Sequence, residues 1–176
     1  MKIQIRQGMF ETNSSSTHAI CIGKEGKVDF PKELTFSLDG QFGWEWEIYN
    51  DINSKASYLY IAIVDSGSVS DIGENINDTS SKVEKISNWL KEDNIKFKFD
   101  SINVQFGFYG AYLNIPGYID HGYELIDFVN WILESKDHLY SYLFNSSSCI
   151  CTGNDNEDND LNIPNNNYEI IFEKGN

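Results

Sequence analysis

The apolar residues of this chain recur with two different periods, and the switching between them constrains the fold more than any single motif. Period two comes first: Ile3, Ile5 and Met9 fall on one side of an extended segment, and His18, Ile20 and Ile22 do the same a few residues later. Residues 2–23 therefore predict a hairpin-like pair joined by the serine loop of FETNSSSTH. In FGWEWEIYNDI, Trp44 and Trp46 alternate with Glu45 and Glu47, the pattern of a half-buried strand. The alternation returns at Ile95, Phe97 and Phe99, then over 102–108 after a turn near Asp100, and again at Tyr168, Ile170 and Phe172.

Helical spacing fills the remainder. Ala56, Leu59, Tyr60 and Ile63 predict a helix with Asn53 or Ser54 as its N-cap, although the β-branched end of the segment makes strand a competitor. Residues 65–81 read as a polar surface loop, after which Val83, Ile86, Trp89 and Leu90 form the stripe of a short helix. Leu125, Phe128, Val129, Ile132 and Leu133 define the best helix, with Asp120 or His121 at its N-terminal boundary and an interruption around Lys136. The expected architecture is α+β, an antiparallel sheet with two or three helices packed on one side. One domain over 1–176 is expected, with flexible loops near 65–81 and 153–166.

Charge restricts the partners. With 27 acidic against 13 basic residues the net charge is -14, so the average surface repels phosphate backbones and anionic membranes, and direct nucleic-acid binding is not expected. Arg6 is the one arginine, which removes the usual bidentate tool for phosphate recognition. No run of about 18 apolar residues is present to span a bilayer, and the first ten residues alternate rather than forming a signal-peptide core; a cytoplasmic protein is expected. The three cysteines are an odd number, and Cys149 and Cys151 are too close in an extended segment for an ordinary disulfide, so reduced thiols are expected.

The words FETNSSSTH (10–18), FGWEWE (42–47), ASYLY (56–60), GYIDH (117–121) and TGNDN (152–156) resemble a largely uncharacterised family of small proteins. These proteins are carried by phages and mobile elements of low-GC Gram-positive bacteria. The resemblance implies a genomic setting, the cytoplasm of a bacterial host, and no particular reaction.

Two functional readings follow. Joined to the charge, the resemblance implies an accessory protein that binds and inhibits a host defence protein with a basic surface, as an acidic mimic acting on a nucleic-acid-binding effector such as a CRISPR nuclease. Trp44, Glu45, Glu47, Glu157, Asp158 and Asp160 are its candidate contacts. The alternative is a hydrolase, a transferase or a protein that binds a nucleotide signal, with a site made where the two NSSS segments meet. There His18 would deprotonate a serine of either segment, with Ser14, Ser15 and Ser16 as candidates, Glu11, Asp120 or Asp155 orienting the imidazole and His121 as a further acid or base. Asn13, Thr17, Ser146, Ser147, Ser148 and Asp155 would hold the ligand.

Metal readings fit the spacing poorly. His18 and Cys21, three apart in a strand, point to opposite faces, whereas Cys149 and Cys151 share one, so a zinc set of these four does not converge without a turn. The acidic run Asp155, Glu157, Asp158 and Asp160 lacks the spacing of an EF-hand loop. No metal or cofactor is expected.

Overall fold

A helix buried on every side organises the molecule. In the computed structural model, which describes residues 16–43, 45–66, 72–107, 110–120, 125–154, 161, 163–164 and 167–174, helix α1 (Ile52–Asp65) is buried at every position from Lys55 to Val64. A helix enclosed all round has no polar stripe, which is why its sequence also suits a strand. Asp51, not Asn53 or Ser54, caps it: the Asp51 carboxylate accepts from the Ser54 amide at 2.9 Å.

The main sheet lies against this helix. Its order is β10 (Tyr168–Lys174), β1 (Ser16–Gly23), β9 (Cys149–Asn154) and β4 (Glu47–Tyr49), antiparallel throughout. The ladder partners of β1 are thus the two C-terminal strands; the first arm of the expected hairpin lies outside the described residues. Ile20, Ile22 and Ile150 face the main core, which also takes in α1, α3 (Ile126–Glu134) and α4 (Lys136–Leu143). Two short parallel pairs extend the fold: β2 (Leu34–Phe36) with β5 (Phe97–Phe99), and β3 (Gln41–Phe42) with β8 (Tyr118–Ile119). The first is welded by Phe36 stacked on Phe99 at 4.2 Å between ring centres. A hairpin of β6 (Asn103–Gly107) and β7 (Gly110–Asn114) completes the strands among the described residues. The α+β class holds, with four helices among the described residues where two or three were expected.

Three expected boundaries move. Helix α2 (Ile72–Glu92) reaches back through 72–81, most of the expected loop. Among the described side chains its inward residues are buried Thr79, Ile86 and Leu90 with half-buried Ile76, Val83 and Trp89, and Asn77, Asp78, Ser80 and Ser81 surround the first two, so the segment reads as polar. An Asp78–Lys82 ion pair at 2.6 Å adds i,i+4 support. Helix α3 starts at Ile126, not at Asp120, whose carboxylate instead accepts from the Ser16 amide at 3.1 Å. The expected interruption is real: Ser135 turns extended (φ -151, ψ 154) and its side chain caps α4 by accepting from the His138 amide. Among the described residues no helix is long and apolar enough to cross a membrane.

Candidate functional site

The two faces of the main sheet separate the candidate chemistry. On the α1 side, β1 points His18 inward, where it is 0% exposed. Its Nε2 lies 2.9 Å from Ser16 Oγ and its Nδ1 3.0 Å from the Tyr58 hydroxyl. Burial pushes the Tyr58 phenol far above its ordinary value, so it stays protonated. The Ser16–His18 separation is that of a nucleophile and its base. Ser16 is itself buried, however, so no substrate carbonyl reaches its Oγ, and the arrangement satisfies polar groups inside the core.

The second serine word sits at the other end of the strands. Ser16 pairs with Asn154 and Cys21 with Cys149, so Ser148 lies about 20 Å from Ser16 along the ladder. There its residues tie the end of β1 to the α4–β9 turn. Asn145 Nδ2 donates to Gly23 O at 2.7 Å, the Gly23 amide donates to Ser148 Oγ at 2.9 Å, and Ser148 Oγ donates to Ser141 O at 2.7 Å. Ser146 Oγ accepts from the Lys27 amide, and both the amide and the hydroxyl of Ser147 donate to Asn145 Oδ1. Gly23 is required by this closeness, since a Cβ there would lie 1.8 Å from Ser147 Oγ. The described parts of the two serine segments therefore do not meet. Thr17 is half-buried on β1; Asn13, Ser14, Ser15, His121, Asp155, Glu157, Asp158, Asp160 and Trp44 lie outside the described residues.

Lys55 is the residue that sequence reasoning missed. It is 0% exposed, and its Nζ donates to Asn145 O at 3.1 Å and Ser148 O at 3.2 Å. Among the described residues no carboxylate forms an ion pair with it, and burial pulls its ammonium down to about 8, partly offset by Cys149 and Asp51. The Tyr142 hydroxyl donates to the Lys55 carbonyl at 2.8 Å, so α1, α4 and the second serine word close on this one position. The signal was a lysine three residues before the unbroken apolar run over 58–64.

The opposite face holds sulfur. Cys21, Cys149 and Cys151 are buried and unbridged, and their Sγ atoms all lie within 4.8 Å of one another. Thiol hydrogen bonds from Cys151 and Cys21 pull Cys149 down to about 3, while the same contacts push Cys151 up to about 12 and Cys21 higher still. The three thiols form one hydrogen-bonded set, so their titrations belong to the set. His18 is on the other face, as the strand parity requires.

Among the described residues the sheet ends on β4. Trp46 is 38% and Ile48 45% exposed, and Glu45 and Glu47 are exposed beside them. Thr152 Oγ1 anchors the approach to this strand by donating to Glu45 O at 2.6 Å. Away from these residues, a groove of about 320 Å³ runs between the β2–β3 connection and the start of α1, lined by Ser37, Asp39, Gln41, Tyr49 and Ser57 among others. It contains none of the candidate residues. No family model, curated protein or solved structure matches the chain.

Proposed function

We propose that this is a phage or mobile-element accessory protein that binds and inhibits a host defence component, docking its acidic sheet edge on the basic surface of a nucleic-acid-binding effector such as a CRISPR nuclease. The observation that carries the reading is β4 with the two residues before it: among the described residues an edge strand with exposed Glu47 and Ile48, preceded by exposed Glu45 and half-exposed Trp46. An edge strand offers unpaired backbone groups to a partner, and tryptophan is a preferred interface anchor. The glutamates, with a net charge of -14, would favour a cationic partner and speed encounter with it. Enclosure of Ser16 and His18 supports binding over turnover, because the best-spaced nucleophile and base have no access to substrate.

The test is competition. Purified defence nucleases are assayed for nucleic-acid binding at low and moderate salt, with wild type, Trp46→Ala and the Glu45→Lys/Glu47→Lys pair. Displacement of nucleic acid by wild type, weakened by about 10-fold or more in Trp46→Ala, is expected. Absence of binding to every nuclease at low salt refutes the proposal.

A further inference from the structure

The sheet face turned away from α1 carries a donor set that the proposed function does not use. Strand parity places Ala19 and Cys21 of β1 and Cys149 and Cys151 of β9 together there as a second, small core. We propose that Cys21, Cys149 and Cys151 form a three-thiolate site for the soft monovalent cation Cu(I).

Convergence is the first argument. A metal at about 2.3 Å from each of three sulfurs in a trigonal plane sets them about 4.0 Å apart. Cys149 and Cys151 Sγ are already 3.9 Å apart, and the full set lies within 4.8 Å, so closure needs only small side-chain movements. A disulfide uses this geometry less well. It would join two sulfurs and strand the third, and Cys149 and Cys151, two apart on one strand, have Cα atoms about 6.8 Å apart, at the outer limit for a bridge.

The donor chemistry selects the ion. Among the described residues no histidine or carboxylate joins the three sulfurs, so hard oxygen-seeking cations are poorly served. Structural zinc takes four ligands; three soft thiolates suit Cu(I). Leu161 and Ile163 pack over the cluster and restrict water. The Lys55 ammonium, bonded to the carbonyl of Ser148 beside Cys149, offsets part of the negative charge of the loaded site.

A supporting residue completes the picture. The β1–β10 register shifts between Ile22 and Gly23, and the shift takes Tyr168 off the parity of Ile170 and Phe172. Its hydroxyl thereby comes within 3.6 Å of Cys149 Sγ, where it can donate to the thiolate and tune it as outer-shell partners of metals do.

The experiment titrates Cu(I) into reduced full-length protein without oxygen, against a chromogenic Cu(I) chelator, with Zn(II) in parallel. One Cu(I) per chain is expected to survive competition, with sulfur-only, three-coordinate X-ray absorption. Cys21→Ser, Cys149→Ser and Cys151→Ser should each lower the affinity by about 100-fold or more, and Tyr168→Phe by about 10-fold. Circular dichroism checks folding of each variant, and Cys→Ala replaces any serine variant that fails it. Loss of Cu(I) to the chelator from wild type overturns the proposal, as does retention unchanged in the cysteine variants. One Zn(II) held per chain while Cu(I) is surrendered also overturns it and reassigns the thiols to zinc.

Discussion

Replacing Lys55 by methionine separates the charge of this residue from its packing. The side chain is wholly enclosed, and burial lowers its ammonium from 10.5 to about 8, so the folded state disfavours the charged form by ~3 kcal/mol relative to water. The sign follows from linkage. Between pH 8 and 10.5 the folded protein has released this proton while the unfolded chain still holds it, so stability rises with pH across that window. Below pH 8 the lysine is charged in both states and the whole cost is present. Wild type alone would obscure the effect, because Tyr58 and Tyr142 are held protonated by burial and act in the opposite direction once unfolded tyrosines ionise near pH 10. Those groups are common to Lys55→Met, so they cancel in the difference. Urea denaturation of both proteins at pH 7, 8, 9 and 9.5 should show wild type gaining about 2 kcal/mol on the variant over that range. The offset at pH 7 reflects the two lost hydrogen bonds to Asn145 O and Ser148 O as well as the relieved desolvation, but these packing differences do not vary with pH. A difference that stays flat to within about 0.5 kcal/mol would refute the claim that a buried ammonium, without a carboxylate ion pair among the described residues, clamps the second serine word.

Two further substitutions probe the frame. Asp65, half-buried in the last turn of α1, is pushed up to about 6 by burial and sits at the negative end of a helix. Its folded value is raised, so it weakens the protein as pH climbs from about 4 to 6; Asp65→Asn should stabilise by about 1–2 kcal/mol at pH 7, with the gain gone at pH 4 in thermal melts. Gly117 leaves no room for a side chain: a Cβ would lie 2.3 Å from Gly40 O and 2.6 Å from Leu38 O, both backbone atoms. Gly117→Ala should cost about 2–3 kcal/mol in urea denaturation, and an unchanged midpoint would show that the β3–β8 pair yields freely.

Period was the readable part of this fold. The alternation at Phe97 and Phe99 and at Ile170 and Phe172 became strands, and the stripe of Phe128, Val129 and Ile132 became a helix, because each element exposes one face and buries the other. The α1 segment was ambiguous for the opposite reason, being enclosed on all sides. The start of α2 was hidden because Asn77, Asp78, Ser80 and Ser81 surround its inward Ile76 and Thr79. Strand order was not legible. Parity placed Cys149 and Cys151 on one face, but only the pairing of Cys21 with Cys149 brings the third thiol to them, and that pairing joins segments 128 residues apart. The same non-local register carries Ser16 and Ser148 to opposite ends of the ladder, although both lie in the same four-residue word.

Repetition of that word is therefore a poor guide to function, and the reason lies in what each copy has to satisfy. The hydroxyl of Ser16 meets a buried imidazole, and the hydroxyls of Ser146, Ser147 and Ser148 meet the backbone and Asn145 where β1, α4 and β9 come together. Buried polar groups with partners of good geometry stabilise, and moving one to bind a substrate would leave its partner unsatisfied at a cost of about 1–3 kcal/mol. The exposed Trp46 and Ile48 make no such contribution to polar satisfaction, and three thiols gathered at one point exceed what packing requires, since alanine or valine would fill the same face. Ile48 is the ladder partner of Cys151, so the docking edge and the thiol cluster are adjacent on the face that α1 does not cover. The α1 side is committed to holding the fold; the other side and its edge retain groups with chemistry to spare.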